Sequence, residues 1–171
     1  SLKDYPEIFS GLILLAVIAA GAFEWERADF VVPGPSQKET VVLIEPGEHL
    51  ATISQKLADA GTVKNPVLFR IGVRLRGEGN RLKAGEYAIP AHASMAGIMA
   101  ILVAGKSIQH KITAAEGLTS QMIYGIVKSD TVLTGDAGAV PAEGTLLPET
   151  YLFTRGVSRS EMISRMTKAQ Q

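Results

Sequence analysis

The run IFSGLILLAVIAAGAF, residues 8–23, carries no charge and is closed off by Glu7 and Glu24. So much continuous apolar surface has to be hidden from water, which constrains the chain more than any other feature. As a helix the run would be about 24 Å long, short of the roughly 30 Å hydrocarbon core of a bilayer. Trp25 extends it, since an indole suits the boundary between membrane and water. Three structures answer the constraint: an uncleaved single-span anchor, a buried core helix, or a signal-peptide core cut after AAGA, residues 19–22. The flanking charges and Trp25 favour the anchor. Lys3 before the run, set against Glu24, Glu26 and Arg27 after it, leans the N-terminus toward the cytoplasmic side.

Charge and cysteine content exclude several functions. Lys plus Arg and Asp plus Glu each total 17, so the basic excess of a nucleic-acid binder is missing and no nucleic-acid partner is expected. There is no cysteine, which removes disulfides, thiolate nucleophiles and cysteine zinc sites together. His49, His92 and His110 are scattered without ligand spacing. Neither a metal nor a cofactor is expected.

Behind the anchor (residues 1–24), the stretch VVPGPSQKE at 31–39 reads as part of a linker over 25–40. A compact unit over 41–92 follows. Val41 to Ile44 form a β-branched run suited to a strand, and EPGE turns the chain. Leu50, Ile53, Leu57 and Ala60 recur at helical spacing before the stop at Gly61. Asn65 and Pro66 then open a second helix as N-cap and first residue, with Val67, Leu68, Ile71 and Leu75 as its apolar stripe. RLKAGEYAIP closes the unit as a strand ended by Pro90. The remainder, 93–171, starts with a helix between Ser94 and Gly105. After it HKITAAEGLTSQMIYGIVKSD echoes VVLIEPGEHLATISQKLADAG: with Gly47 on Gly117, Ile53 falls on Ile123 and Leu57 on Val127. In both copies Glu45, Glu48 and Glu116 read as turn acids at helix starts, where a carboxylate suits the positive end of the helix dipole. A last helix is expected over 158–171.

Chemistry concentrates in PAEGTLLPETYLF, residues 141–153. Glu143 and Glu149 are six residues apart. On a helix they would lie about 240° apart. On a strand they would be about 20 Å apart, beyond the 5–9.5 Å of a glycosidase carboxylate pair. Only a tight turn would join them, so any chemistry here falls to one acid acting first as proton donor and then as base. Leu146 and Leu147 are placed to desolvate Glu143 and keep it protonated. The alternative is that Glu143 is a turn acid with no chemistry.

The single span, the LKAGEY segment from Leu82 to Tyr87 and above all EGTLLPETY from Glu143 to Tyr151 resemble the endolytic murein transglycosylases, the YceG-like proteins. The resemblance covers nearly the whole chain. It implies an α+β fold: a transmembrane helix, a LysM-like βααβ module at 41–92, and the first part of a mixed α/β transglycosylase domain. It implies that Glu143 is the catalytic acid, with Gly144, Glu149, Thr150 and Tyr151 as substrate-side residues, although Tyr151 fits a core position equally well. The implied substrate is the peptidoglycan glycan strand, cut between N-acetylmuramic acid and N-acetylglucosamine to leave a 1,6-anhydro end. The implied place is the bacterial inner membrane, anchored through residues 8–24 with the catalytic part outside, and peptidoglycan synthases are the implied partners. The family pattern continues past Gln171, so the rest of the cleft is expected beyond it and this chain alone is expected to be inactive. Set against the enzyme are a membrane-anchored peptidoglycan-binding protein without catalysis, and an exported scaffold.

Overall fold

A computed structural model describes residues 6–168. Lys3 and the final residues of the helix expected over 158–171 lie outside the described residues. Contacts divide the chain into two units, Ser1–Lys106 and Ser107–Gln171.

The first unit begins with α1, Pro6–Val31. This helix runs past the apolar stretch, because Glu24, Glu26 and Arg27 interrupt hydrophobicity but are good helix formers. Ile8 to Ile18 stay exposed, whereas Phe30 is fully buried. The expected linker is therefore built in. Trp25 to Val31 complete the helix, and the chain beyond it is tied to a later turn. Gly34 donates to the His92 carbonyl at 3.1 Å, and His92 donates to the Ser36 carbonyl at 2.7 Å. A Cβ on Gly34 would stand 2.2 Å from the Ala93 carbonyl oxygen, so only glycine lets the two segments meet.

β1 (Thr40–Ile44), α2 (Leu50–Asp59), α3 (Pro66–Leu75), β2 (Gly85–Ile89) and α4 (Met95–Ala104) follow. β1 and β2 pair antiparallel with Val42 opposite Tyr87. The order strand, helix, helix, strand is the one read from the sequence. Asn65 caps α3 as expected, accepting from the amides of Val67 and Leu68. Glu48 forms an ion pair with Lys56 and accepts from the Glu45 amide at 3.2 Å, so it braces its turn.

Two further expectations fail. The apolar stripe of α3 is not the one that packs: Phe69, Gly72 and Val73 are buried, while Val67, Ile71 and Leu75 are 45, 41 and 54 % exposed. Both sets have helical spacing, and the partner chooses between them. Phe30 of α1 stacks on Phe69 with centroids 6.3 Å apart, and a Cβ on Gly72 would lie 2.3 Å from the Phe30 ring. Glycine at 72 lets the two helices touch. The other failure concerns α4, assigned from sequence to the second part. Its Ile98 and Leu102 belong to the core of Phe30, Leu57, Phe69, Tyr87 and Ile89.

The second unit comprises β3 (His110–Thr113), α5 (Ser120–Ser129), β4 (Thr150–Phe153) and α6 (Arg159–Lys168). Its own core contains Ile112, Ile123, Val127, Leu146, Phe153, Met162 and Met166. It repeats the first unit more fully than the sequence echo suggested. Ile112 faces Tyr151 across the strand pair, as Val42 faces Tyr87. Gly47 and Gly117 turn with φ of 84° and 83°. Asp130 accepts from the amides of Val132 and Leu133, as Asn65 does two and three residues on. Ser158 accepts from the Glu161 amide at the head of α6, as Ser94 does from Gly97 at the head of α4. Where the first unit has α3, the second has a loop leading to Glu143.

Candidate functional site

Glu143 sits on a tight exposed turn of that loop. The Ala142 carbonyl accepts from the Thr145 amide at 3.3 Å and from the Thr145 hydroxyl at 2.6 Å. Gly144 has φ of 77° with nothing within 4 Å of a built Cβ. Its role in the structure is conformational, because a left-handed residue is what closes the turn. Upstream, the loop is held by Arg159, whose guanidinium donates to the carbonyls of Lys128 at 3.1 Å, Gly135 at 2.8 Å and Asp130 at 2.6 Å. Tyr124 adds a bond from its hydroxyl to the Gly138 carbonyl at 2.6 Å.

The turn delivers the carboxylate to the start of α5. Both oxygens of Glu143 accept from the Ser120 amide, each at 3.1 Å, and the Ser120 hydroxyl donates to the Ala142 carbonyl at 3.0 Å. Ser120 is the first residue of α5, so its amide has no carbonyl within the helix to bond. The acid thus meets a donor at the positive end of a helix dipole. Glu143 itself is exposed, and Leu146 turns into the core at 4 % exposure. The aliphatic cover expected from Leu146 and Leu147 is not what surrounds the carboxylate; a helix N-terminus is.

Thr150 pairs with Thr113 across the strands, their hydroxyl oxygens 3.1 Å apart. Glu149 is exposed, and its backbone carbonyl accepts from the Ala114 amide at 2.9 Å. Tyr151 packs against the second core and donates its hydroxyl to the Leu147 carbonyl at 2.8 Å. Burial first, and the Glu149 charge second, push its phenol above the ordinary 10.0. Tyr87, its counterpart in the first unit, donates to the Lys83 carbonyl at 2.8 Å and is likewise raised, by burial.

Sequence reading missed Ser120. The signal was present, since the echo that sets Gly47 on Gly117 also sets Leu50 on Ser120, a hydroxyl at a core leucine position. Ser120 is 3 % exposed.

A second concavity lies in the first unit. It has a volume of about 610 Å³ and is lined by Glu48, His49, Leu50, Arg74, Asn80 and Leu82, among others.

The molecule is thus a mixed α+β protein, with one N-terminal helix long and apolar enough to cross a membrane and an acid-bearing glycine turn in the second of two related units. The chain belongs to the YceG-like family, whose pattern it matches over residues 42–171. A 2.6 Å crystal structure of the yceG-like protein lmo1499 from Listeria monocytogenes is 23 % identical, with a TM-score of 0.41. That match covers 78 % of this chain and 55 % of the other, so this chain spans about half the length of that relative. No curated protein gives a significant match.

Proposed function

We propose that the protein is an endolytic murein transglycosylase with Glu143 as its catalytic acid and base. The observation that carries this reading is the carboxylate of Glu143, exposed on a hydrogen-bonded glycine turn and held by the first amide of α5. In the proposed reaction, protonated Glu143 gives its proton to the glycosidic oxygen between N-acetylmuramic acid and N-acetylglucosamine, and the C1–O bond breaks. The carboxylate then takes the proton of the muramoyl 6-hydroxyl, whose oxygen bonds to C1. The 1,6-anhydro end forms, no water is consumed, and Glu143 finishes protonated. The Ser120 amide fixes where the carboxylate sits through that cycle. One acid suffices, which suits a site where Glu149 stands just before β4 rather than in the turn.

In this reading α1 anchors the protein in the bacterial inner membrane with both units on the outer side. The first unit serves as a LysM-like module, and nascent glycan strands and their synthases are the partners. Gly144 shapes the turn while Thr150, Glu149 and Tyr151 border the glycan. The test is mass analysis of products made from purified glycan strands by the protein at full family length. A transglycosylase yields ends lighter by one water than those of a hydrolase, and reducing muramic ends would refute it.

The cavity of about 610 Å³ beside His49 and Arg74 favours a second reading, a glycan-binding protein without catalysis. Retention on sacculi with no cleavage by the full-length protein would select it.

A further inference from the structure

We infer that the first unit rests on the membrane surface, with the C-terminal end of α3 seated among lipid headgroups beside α1. The inference rests on the proposed anchoring role of α1. It concerns the C-terminal end of α3, with Arg74 and Leu75, together with Arg27 near the end of α1.

The contacts fix how α3 runs along α1. Phe30 meets Phe69 near the N-terminal end of α3. One to two turns back along α1, Glu26 accepts from Arg76 at 2.8 Å, at the C-terminal end of α3. Moving along α1 from Phe30 toward the apolar span therefore means moving along α3 toward its C-terminus. Arg76 makes the junction stiff. Its guanidinium lies 3.8 Å from the centroid of the Phe30 ring and also donates to the Gly72 carbonyl at 2.9 Å.

Phe23, Glu26, Arg27, Leu75 and Arg76 line one shared hollow of about 260 Å³. Phe23 is the last residue of the uncharged run, and Trp25, 59 % exposed, has the residue type that settles at membrane interfaces. If the span is in the bilayer, the hollow is at headgroup depth, since the interfacial layer is roughly 6 Å thick on each side.

The exposed surface there has the composition of an interfacial helix. Val67, Ile71 and Leu75 form one apolar row left uncovered by the core. Arg70 and Arg74 stand beside it, and Arg74 is exposed. An apolar row flanked by arginines is the pattern of helices that lie at anionic lipid surfaces, leaving the guanidinium groups to meet phosphates. Only the Leu75 end is near the span, so the docking surface is the C-terminal end of α3, where Leu75 shares the hollow with Arg27 and the exposed Arg74 lies on the side of the larger cavity. The chemistry it fits is an anionic phospholipid headgroup with its upper acyl carbons.

Trp25 is the one tryptophan of the 171-residue chain, which provides the test. The chain is placed in nanodiscs of phosphatidylcholine or phosphatidylglycerol carrying lipid brominated near the headgroup. Native Trp25 reports the anchor. A Trp25→Phe/Leu75→Trp variant reports the α3 corner. Both indoles should be quenched. Quenching at position 75 should rise with phosphatidylglycerol and fall by about twofold or more on adding Arg74→Glu or raising salt. Quenching of Trp25 without quenching at 75 would overturn the docking while leaving the anchor standing. No quenching of Trp25 would overturn the anchor, and the docking with it. A readout without substitution is amide exchange over 74–79, which should be slower in phosphatidylglycerol than in phosphatidylcholine discs. Equal exchange in the two would also count against the inference.

Discussion

Gly144 shows what a single residue contributes to the site. Its φ of 77° with open space around a Cβ isolates the backbone term from any steric one. Gly144→Ala should cost about 1 kcal/mol in the stability of the second unit, measured by thermal unfolding, and should lower activity more than stability because the turn aims Glu143. Ser120 permits a sharper test. Proline is tolerated at the first position of a helix, and Thr119 before it has φ −73° and ψ 158°, which suits a residue preceding proline. Ser120→Pro therefore removes the amide that Glu143 accepts from while sparing the helix, and Ser120→Ala, which loses only the hydroxyl bond to the Ala142 carbonyl, is its control. We expect kcat to fall by at least about tenfold with circular dichroism unchanged; a folded variant with full kcat would show that the amide only decorates the turn. Tyr151 links a residue to pH. Its phenol is raised above 10.0, so its contribution is complete below that value. It fades as pH climbs past it, because the unfolded chain gives up its proton first. Tyr151→Phe should cost about 1 kcal/mol near neutrality, from the lost bond to Leu147, and the gap to wild type should narrow in alkaline denaturation curves. At this scale the sequence was partly legible. Glu143 stood out through the glycine after it and the resemblance of its segment. Ser120 did not, because its role comes from burial and an acid arriving from 23 positions away.

Helices and strands were read with more success than the faces they present. α2, α3, α4 and β2 follow their caps, glycine stops and proline breaks. On α3, however, two apolar rows had equal claim by spacing, and only the approach of α1 through Gly72 decided between them. α1 is longer than its apolar run, because the charged residues from Glu24 to Asp29 continue the helix. The packing of α1 on α3 leads to one test. Cutting away residues 1–24 should leave a folded first unit, since Glu26 and Phe30 are kept. Cutting to residue 32 should destabilise it by about 3 kcal/mol or more, through loss of the buried Phe30 ring and of the partner of Arg76. Thermal unfolding of the two truncations decides it, and equal melting temperatures would show that α1 is dispensable. Gly72→Ala should act in the same direction by about 3 kcal/mol.

On the scale of the whole molecule, a unit of strand, helix, strand and helix occurs twice with matching caps, turns and tyrosines. The echo of 43–57 in 113–127 was visible in the sequence, but its continuation was hidden. The segment that replaces α3 has no helical spacing, and the correspondence resumes only at Tyr87 and Tyr151. The segment in the place of α3 is the one bearing Glu143, so one unit has a groove and the other an acid. In the proposed reaction this acid does the chemistry alone. Its most direct test is muropeptide chromatography of glycan strands digested by the full-length protein carrying Glu143→Gln or Glu149→Gln, with circular dichroism on each. Glutamine keeps the shape of the side chain but cannot cycle a proton. Glu143→Gln is expected to abolish 1,6-anhydro products and Glu149→Gln to retain most of them. Near-normal release by Glu143→Gln, with loss in Glu149→Gln, would contradict this role of Glu143.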